Sequence, residues 1–358
     1  MRRLLLLLLL SGCSTINLGE PLGAVDTHAP ATPIEPLWER DAEAAFGPAA
    51  AYVTEAYVVV GTRKGEVVVL DREDGGVAAR GEFGESVEGQ LGVSPDGRVL
   101  YVPTAEVKGG VQAFDVSRGV RLWRWRGGAV QGGVARVGAY VVVGMLDGRI
   151  VGLDAETGTE QWTAQAGGHI QAPPVAVGSD VLVADDSGRI ARLDPATGRE
   201  RWAVDTGHPI YAAPAVADGA VYVSTARGAV LRLDAETGTE RWRIDTDRVL
   251  RATTASVSGG RLAVGFTDGT TRVLDAATGA EQWRHTIDGN VGARPAWIGD
   301  ALAVGTMDER LLVLDGATGR ERMASPLRGR VKSALAVGGG LLVVLIEPRH
   351  VVAFHAAP

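Results

Sequence analysis

The sequence predicts an all-β fold, an eight-bladed β-propeller of four-stranded antiparallel blades closed by an N-terminal strand. The main observation is a repeat: eight times, an aliphatic or aromatic residue is followed by a turn-forming polar residue, at intervals of 39 to 44 residues. Those polar residues are Asp71, Asp115, Asp154, Asp194, Asp234, Asp275, Asp315 and His355. A repeat of about forty residues is typical of propeller blades.

Each repeat contains four short runs that resemble strands. In one unit these are residues 210–216, 220–224, 229–233 and 240–242, which are valine-rich or alternating and are separated by glycine-containing turns. Such runs indicate strands and hairpins. No stretch after the N-terminus sustains a helical period, so the pattern favours a propeller over a helical solenoid.

A turn followed by a tryptophan recurs at the outer edge of the predicted blades. In residues 153–162, Asp154 can accept hydrogen bonds from backbone N–H groups two or three residues on, and Gly158 supplies a positive φ. The ring of Trp162 can then pack against the neighbouring blade while its N–H meets a carbonyl. Five copies continue into a tryptophan; Arg80 and Met323 are expected to replace it in two blades and to weaken those contacts.

The two ends of the repeat predict how the ring closes. Residues 351–355 resemble a third strand with no fourth, and residues 36–40 resemble an outer strand that precedes the first unit. Pairing the two would complete the last blade and remove two exposed edges. We therefore assign residues 34–358 to the propeller.

The N-terminus resembles a secretory signal followed by a lipid attachment site. Arg2 and Arg3 precede seven leucines, a run too short to span a membrane, which takes about 20 apolar residues. Residues 10–13 resemble a bacterial lipobox, which implies removal of residues 1–12 and lipidation of Cys13, the only cysteine. The alternative is a chance cysteine at the end of an uncleaved anchor. Residues 13–33 are expected to be the lipidated cysteine and a flexible tether.

Composition limits the possible partners and chemistry. The net charge is −7, and it becomes −9 once the positive charges of Arg2 and Arg3 are lost with the signal. With no basic cluster apparent, nucleic acid and anionic lipid surfaces are not expected as partners. His169 and His208 occupy equivalent positions in adjacent blades, either as solvated loop residues or as a metal site lacking an evident third ligand. No catalytic motif is present, so we predict no enzyme activity, cofactor or metal.

The repeat Leu-Asp-x-x-Thr-Gly-x-Glu-x-Trp, found at residues 153–162, 193–202 and 233–242, resembles that of pyrroloquinoline-quinone-type propellers. One branch, the quinoprotein dehydrogenases, is similar in its blade motif but has long insertions, calcium ligands and often a vicinal cysteine pair. The other branch, the BamB family of outer-membrane assembly lipoproteins, resembles this chain throughout. It shares the lipobox, the short tether, eight minimal blades and closure by an N-terminal strand.

The BamB resemblance implies a non-enzymatic scaffold of the β-barrel assembly machinery. It would lie at the outer membrane, face the periplasm and bind the insertase BamA and other assembly subunits. By resemblance to known lipoproteins, Ser14 after the cysteine also favours the outer membrane over retention in the inner membrane. In that family a Leu-Arg pair before one inner strand contacts the partner; Leu250 and Arg251 match it, unless Leu250 is instead a buried strand residue. The family's paired acids in the next loop are matched by Asp288 at most. The alternatives are a periplasmic quinone-binding oxidoreductase and an envelope lipoprotein that binds other proteins or polymers.

Overall fold

The computed structural model describes residues 16–245 and 252–357, which form 33 β-strands and no helix. No helix in these two ranges is therefore long and apolar enough to cross a membrane. The strands make eight antiparallel sheets, seven of them with four strands and the last with five. The predicted eight-bladed propeller is confirmed.

The strands follow the chain from the inner to the outer edge of each blade, except that β1 (Ile34–Asp41) belongs to the last one. Blade 1 contains β2 (Tyr52–Val53), β3 (Tyr57–Gly61), β4 (Glu66–Asp71) and β5 (Val77–Glu82), and blade 2 contains β6 (Gly92–Val93), β7 (Val99–Thr104), β8 (Gly110–Asp115) and β9 (Val120–Trp125). Blade 3 contains β10 (Val134–Val137), β11 (Tyr140–Gly144), β12 (Arg149–Asp154) and β13 (Glu160–Gln165), and blade 4 contains β14 (Val175–Val177), β15 (Asp180–Ala184), β16 (Arg189–Leu193) and β17 (Glu200–Asp205). Blade 5 contains β18 (Ala215–Ala217), β19 (Ala220–Ser224), β20 (Val230–Asp234) and β21 (Glu240–Ile244), and blade 6 contains β22 (Ser256–Ser258), β23 (Arg261–Gly265), β24 (Thr270–Asp275) and β25 (Glu281–Thr286). Blade 7 contains β26 (Ala296–Ile298), β27 (Ala301–Gly305), β28 (Arg310–Asp315) and β29 (Glu321–Pro326), and blade 8 contains β30 (Arg330–Val331), β31 (Ala336–Gly338), β32 (Leu341–Glu347) and β33 (His350–Ala356) together with β1.

The innermost strands surround a central channel of about 970 Å³. β2 of blade 1 contacts β31 of blade 8, so the ring is closed. The second and third strands of each blade are buried on both faces because each face packs on a neighbouring blade. They therefore read as continuous aliphatic runs, such as the fully buried Leu311–Leu314 segment of β28, rather than as alternating patterns.

The inner strands are shorter than the sequence predicts. The run at residues 210–216 becomes a strand only from Ala215, since Pro214 has no N–H to donate to a ladder. Ile210 is buried instead, and its N–H donates to the carbonyl of Asp185 in blade 4 at 3.1 Å. The first half of the predicted strand is therefore a crossing that ties one blade to the previous one.

The predicted turn chemistry is confirmed. The Asp154 carboxylate accepts hydrogen bonds from the backbone N–H of Glu156 at 3.0 Å and of Thr157 at 2.8 Å. Gly158 has a φ of 70°, and its N–H donates to the Asp154 carbonyl at 2.8 Å. These hydrogen bonds hold the turn between β12 and β13 and keep the pKa of Asp154 below its usual range, chiefly through the Thr157 N–H.

Six tryptophans dock on the next blade. Trp162, for example, donates its indole N–H to the carbonyl of Pro195 at 2.8 Å, and its ring covers Gly198, where any side chain would collide with it. The full set is Trp38, Trp123, Trp162, Trp202, Trp242 and Trp283. Trp38 adds the dock of blade 8 on blade 1 to the five that the repeat predicts.

The position assigned to Arg80 in the repeat is wrong by one residue. In blade 3, Trp162 lies opposite Gly152 at the β-bulge, and the residue at that place in blade 1 is Ala79, opposite Val69. Arg80 instead forms an ion pair with Glu66 at 2.9 Å. Met323 does lie at the equivalent place in blade 7, opposite Val313.

Closure by the N-terminal strand is confirmed. β1 pairs antiparallel with β33 over its whole length, from Ile34 opposite Ala356 to Asp41 opposite His350. Trp38 of β1 then donates to the carbonyl of Arg72 at 2.8 Å. The strand thus both completes blade 8 and attaches it to blade 1.

Residues 16–33, expected to be a flexible tether, lie against the ring instead. The Leu22 N–H donates to the Gly97 carbonyl at 2.9 Å, and Ile16 and Leu22 are fully buried. The backbone carbonyl of His28 accepts a hydrogen bond from the Gly340 N–H at 2.9 Å. This segment, which we call the strap, is bound to turns of blades 2, 1 and 8. Its irregular contacts follow no period, so the sequence gives no sign of them.

Candidate partner-binding surface

The ring has two different faces. The turn face carries the hairpins between the first and second strands, such as residues 93–99 and 338–341, and the strap runs across it. The loop face carries the connections from each outer strand to the next inner strand, including residues 166–174, 206–214 and 287–295. Because the strap covers turns of blades 2, 1 and 8 on the turn face, we take the loop face as the candidate surface for a partner.

The described loops of the loop face are held in place by the blades beneath them. The Ile170 N–H donates to the Met145 carbonyl, and the Val331 N–H donates to the Thr306 carbonyl, both at 3.1 Å. Each of these aliphatic side chains is fully buried between two blades. A partner would therefore meet loops that are already ordered, which lowers the entropy lost on binding.

A cavity of about 190 Å³ opens at the loop-face end of the channel. Its polar lining comes from blades 5 to 8 and comprises Tyr211, Ser224, Thr225, Thr253, Thr254, Arg294 and Lys332. Described residues contribute no carboxylate to this lining. The cavity therefore offers hydroxyl groups and two cations to whatever contacts it.

The two cations differ in their environment. Lys332 forms an ion pair with Glu347 at 2.5 Å. Arg294 donates to the carbonyl of Leu335 at 3.4 Å, and its burial lowers the pKa of its guanidinium. The guanidinium nevertheless stays protonated at neutral pH, because an arginine pKa begins so high. Arg294 also lines the central channel, so it places a positive charge where the cavity and the channel meet.

The structure locates some of the residues that the sequence singles out. Leu250, Arg251 and Cys13 lie outside the described residues, so their predicted roles stay predictions. Thr253, which follows the Leu-Arg pair closely, lines the cavity, so this loop ends at the loop face. Trp297 packs between blades: it is buried and donates its indole N–H to the Ser256 carbonyl of blade 6 at 3.0 Å.

The histidines form no metal site in the structure. The Nδ1 atom of His169 lies 2.9 Å from the carboxylate of Asp186, which also accepts the His169 backbone N–H. Across residues 16–245 and 252–357, no group of three or more His, Cys, Asp or Glu side chains is arranged to hold a metal.

Lys332 lines the cavity but was not predicted from the sequence. It follows buried Val331 just as Tyr211 follows buried Ile210, so aligning the inner loops of the repeats would have identified it.

Comparison with known proteins agrees with this architecture. A family model described as outer membrane protein assembly factor BamB matches residues 35–153, 146–297 and 267–357. No curated protein sequence matches the chain. The crystal structure of BamB from Moraxella catarrhalis is similar, with a TM-score of 0.77 at 20% identity over 90% of this chain and 99% of that one.

Two other solved structures are similar in fold. The computationally designed Ika8 protein has a TM-score of 0.74 at 19% identity, covering 94% of this chain and 99% of that one. The C-terminal WD40 domain of Sif2 has a TM-score of 0.73 at 12% identity, covering 92% and 99%. Identities this low show the fold alone, whereas the family model covers nearly the whole propeller. The chain therefore belongs to the family of outer membrane protein assembly factor BamB.

Proposed function

We propose that this protein is a non-enzymatic lipoprotein scaffold of the outer-membrane β-barrel assembly machinery. It binds a BamA-type insertase through the loop face, and a lipid on Cys13 anchors it to the outer membrane with the propeller in the periplasm. The observation that carries this proposal is the family match, which extends from residue 35 to residue 357. The minimal blades, joined by short connections throughout the described residues, suit a scaffold rather than an enclosed catalytic site.

The loop face supports a binding role on physical grounds. Hydrogen bonds between blades fix the backbone of its described loops, so these loops lose little conformational entropy on association. Arg294 supplies a positive charge at the centre. Arg328, with a side chain that is 75% exposed, lies at the rim 3.8 Å from the Glu39 carboxylate. Such a surface complements an acidic or mixed patch on a partner domain.

The test is recovery of the insertase from crosslinked envelopes with the tagged lipoprotein. Wild type is compared with Leu250→Glu/Arg251→Glu and with a matched control, Leu37→Glu/Arg320→Glu. The control changes the same residue types at exposed positions on blades 8 and 7. We expect the insertase with wild type and control, and its loss with the Leu250/Arg251 variant.

Other outcomes separate the parts of the proposal. Recovery with all three proteins keeps the scaffold role and removes Leu250 and Arg251 from the interface. Loss with both variants shows a general effect of added negative charge. Absence of the insertase even with wild type contradicts the assembly role and favours an envelope lipoprotein with other partners.

A separate experiment tests the lipid anchor. We expect the wild-type protein to partition into the detergent phase and the Cys13→Ser variant to stay in the aqueous phase.

A further inference from the structure

The outermost strand of blade 2 is a basic edge on an acidic protein. Residues 117–126 contain four arginines, Arg118, Arg121, Arg124 and Arg126, and no acidic residue, although the net charge of the chain is −7. The other seven outermost strands, β1, β5, β13, β17, β21, β25 and β29, each contain a glutamate. The expectation that the chain has no basic cluster is therefore wrong for this strand, because the charge of the whole chain conceals it.

The basic edge is exposed and largely unneutralised. All four arginines are exposed, and two apolar neighbours, Val120 and Leu122, are exposed by 39% and 43%. Arg118 lies 3.8 Å from the carboxylate of Asp115. Within the part of the chain that the structure describes, Arg121, Arg124 and Arg126 have no ion pair. Cations beside exposed aliphatic side chains are the composition that binds the interface of an anionic membrane.

The strap begins beside this edge. The Leu18 N–H donates to the carbonyl of Val116 at 2.9 Å, and a Cβ on Gly119 would lie 2.8 Å from Asn17. Both Val116 and Gly119 belong to the connection that leads into β9. The first described residues of the strap are thus fixed against the start of the basic strand.

A second contact path links the strap to the arginines. Ile16 packs with Phe83 in one buried cluster. The Gln112 side-chain amide donates to the Phe83 carbonyl, and its oxygen accepts from the Arg121 guanidinium at 3.4 Å. Only two residues, Phe83 and Gln112, separate Ile16 from Arg121 in this path.

The short stretch of chain between Cys13 and the strap places the lipid near the basic edge. Cys13 precedes Ile16 by three residues, and three extended residues span at most about 11 Å. This reach is similar to the Debye length of about 8–10 Å at physiological ionic strength. A lipid on Cys13 therefore keeps the start of the basic strand close to the membrane surface, and a membrane lying along the strand would meet the charges of its arginines.

We propose that the basic edge, residues 117–126, binds anionic phospholipid headgroups of the membrane that carries the anchor, so that blade 2 lies against that membrane. The inference rests on the proposed lipidation of Cys13 and does not depend on binding of the insertase. An acyl anchor combined with a basic patch is an established route to stable membrane attachment. Each basic residue near such a surface contributes about fivefold in affinity.

The experiment measures hydrogen–deuterium exchange of the mature lipoprotein reconstituted in vesicles. The vesicles contain phosphatidylcholine alone or phosphatidylcholine with phosphatidylglycerol. We expect exchange of residues 117–126 to slow by at least about fivefold, the contribution of a single basic residue, in the anionic vesicles only. About 1 M salt, which shortens the Debye length to about 3 Å, should abolish the difference. β25 in blade 6, at a distance from β9 around the ring, serves as the internal reference.

Three variants complete the test, and the two charge-reversal variants among them have equal net charge. Arg121→Glu/Arg124→Glu/Arg126→Glu should lose the protection, and the milder triple glutamine variant should lose most of it. Arg199→Glu/Arg227→Glu/Arg320→Glu, at three exposed positions on blades 4, 5 and 7, should keep it. Equal loss in both charge-reversal variants, or no protection in anionic vesicles with wild type, would overturn the proposal. Protection of β9 that appears only when envelope proteins are added would assign the edge to an acidic protein instead. Failure to recover the insertase, with protection intact, would contradict the assembly role alone.

Discussion

The boundary between blades 2 and 3 and the boundary between blades 1 and 2 solve the same packing problem differently. At the first, Trp123 of blade 2 covers Gly158 and donates its indole N–H to the Ala155 carbonyl at 3.0 Å. At the second, the docking position is taken by the small side chain of Ala79. The hydrogen bond and the packing that a docking tryptophan provides at six other blade boundaries must therefore come from a residue elsewhere in the chain.

The strap fills that role. In blade 2, Val116 and Gly119 are the counterparts of Ala155 and Gly158 in blade 3. In both blades the first of these residues lies one position, and the second four positions, beyond the turn aspartate. The Leu18 N–H donates to the Val116 carbonyl at 2.9 Å, as an indole would, and Asn17 covers Gly119. The strap is thus a structural replacement for a missing docking tryptophan.

The boundary between blades 7 and 8 is the other exception. Met323 replaces the tryptophan there, and the two chain ends replace the outer turn of blade 8, with the Ala357 N–H donating to the Pro33 carbonyl at 2.8 Å. Met323 packs against the cluster that contains Ile34. Both boundaries without a tryptophan therefore depend on the N-terminal segment. The segment that closes the ring is also the one expected to lead to the membrane.

The largest expected effect is the loss of a docking tryptophan. Trp283→Ala removes a side chain that is only 8% exposed, together with its hydrogen bond to Gly316 at 3.0 Å. Such a truncation costs about 3–5 kcal/mol of unfolding free energy. Urea denaturation followed by circular dichroism measures it. Trp283→Phe, which keeps most of the ring, should lose much less, and a loss below about 1 kcal/mol for the alanine variant would show that the docks do not hold the ring.

Truncation of a buried side chain in the strap should have the second-largest effect on stability. Ile16→Ala truncates a fully buried side chain, so we expect a loss of about 2 kcal/mol in the same measurement. Leu37→Ala is the control, because Leu37 is 39% exposed and its truncation should change stability by less than about 0.5 kcal/mol. Equal and small effects at both positions would mean that the strap adds nothing to the boundary between blades 1 and 2.

A substitution that restores the tryptophan sharpens the comparison. Ala79→Trp should compete with the strap for the place beside Gly119 and cost roughly 1–3 kcal/mol through overpacking. In an Ile16→Ala background that cost should fall by at least about 1 kcal/mol, a coupling that a double-mutant cycle measures. Arg80→Trp should show no such coupling, since Ala79 occupies the docking register. Coupling at position 80 instead would contradict the bulge alignment of blade 1.

Periodicity explains why the ring, its closure and its turns could be predicted. Asp154, Gly158 and Trp162 act through contacts that recur every forty residues, and the open ends of the repeat indicate that β1 completes blade 8. Arg80 stands nine residues beyond Asp71, whereas the five tryptophans of the repeat each stand eight residues beyond their turn aspartate, which is the place of Ala79. A single register shift decides which neighbouring side chain faces the next blade.

Features that do not repeat were not predictable in the same way. Ile16 and Leu18 bind turns and a blade edge, so no pattern in residues 13–33 indicates where they pack. The four arginines of β9 are visible in the sequence, but their significance depends on the strap beginning beside them.

The smallest expected effect concerns the turn that supports a docked tryptophan. Asp315 precedes Gly319, which lies under Trp283, and the guanidinium of Arg322, followed by the Thr318 hydroxyl and N–H, holds the pKa of Asp315 below its usual range. A carboxyl group with a lowered folded-state pKa stabilises the protein above its unfolded value near 3.9, and this contribution is lost as the pH falls through the folded-state pKa. The stability difference between wild type and Asp315→Asn should therefore be constant above about pH 5 and shrink below about pH 4. Urea denaturation over this range measures it, and in an Arg322→Gln background most of the change with pH should vanish. A difference that grows as the pH falls would show that the carboxylate does not stabilise the folded turn.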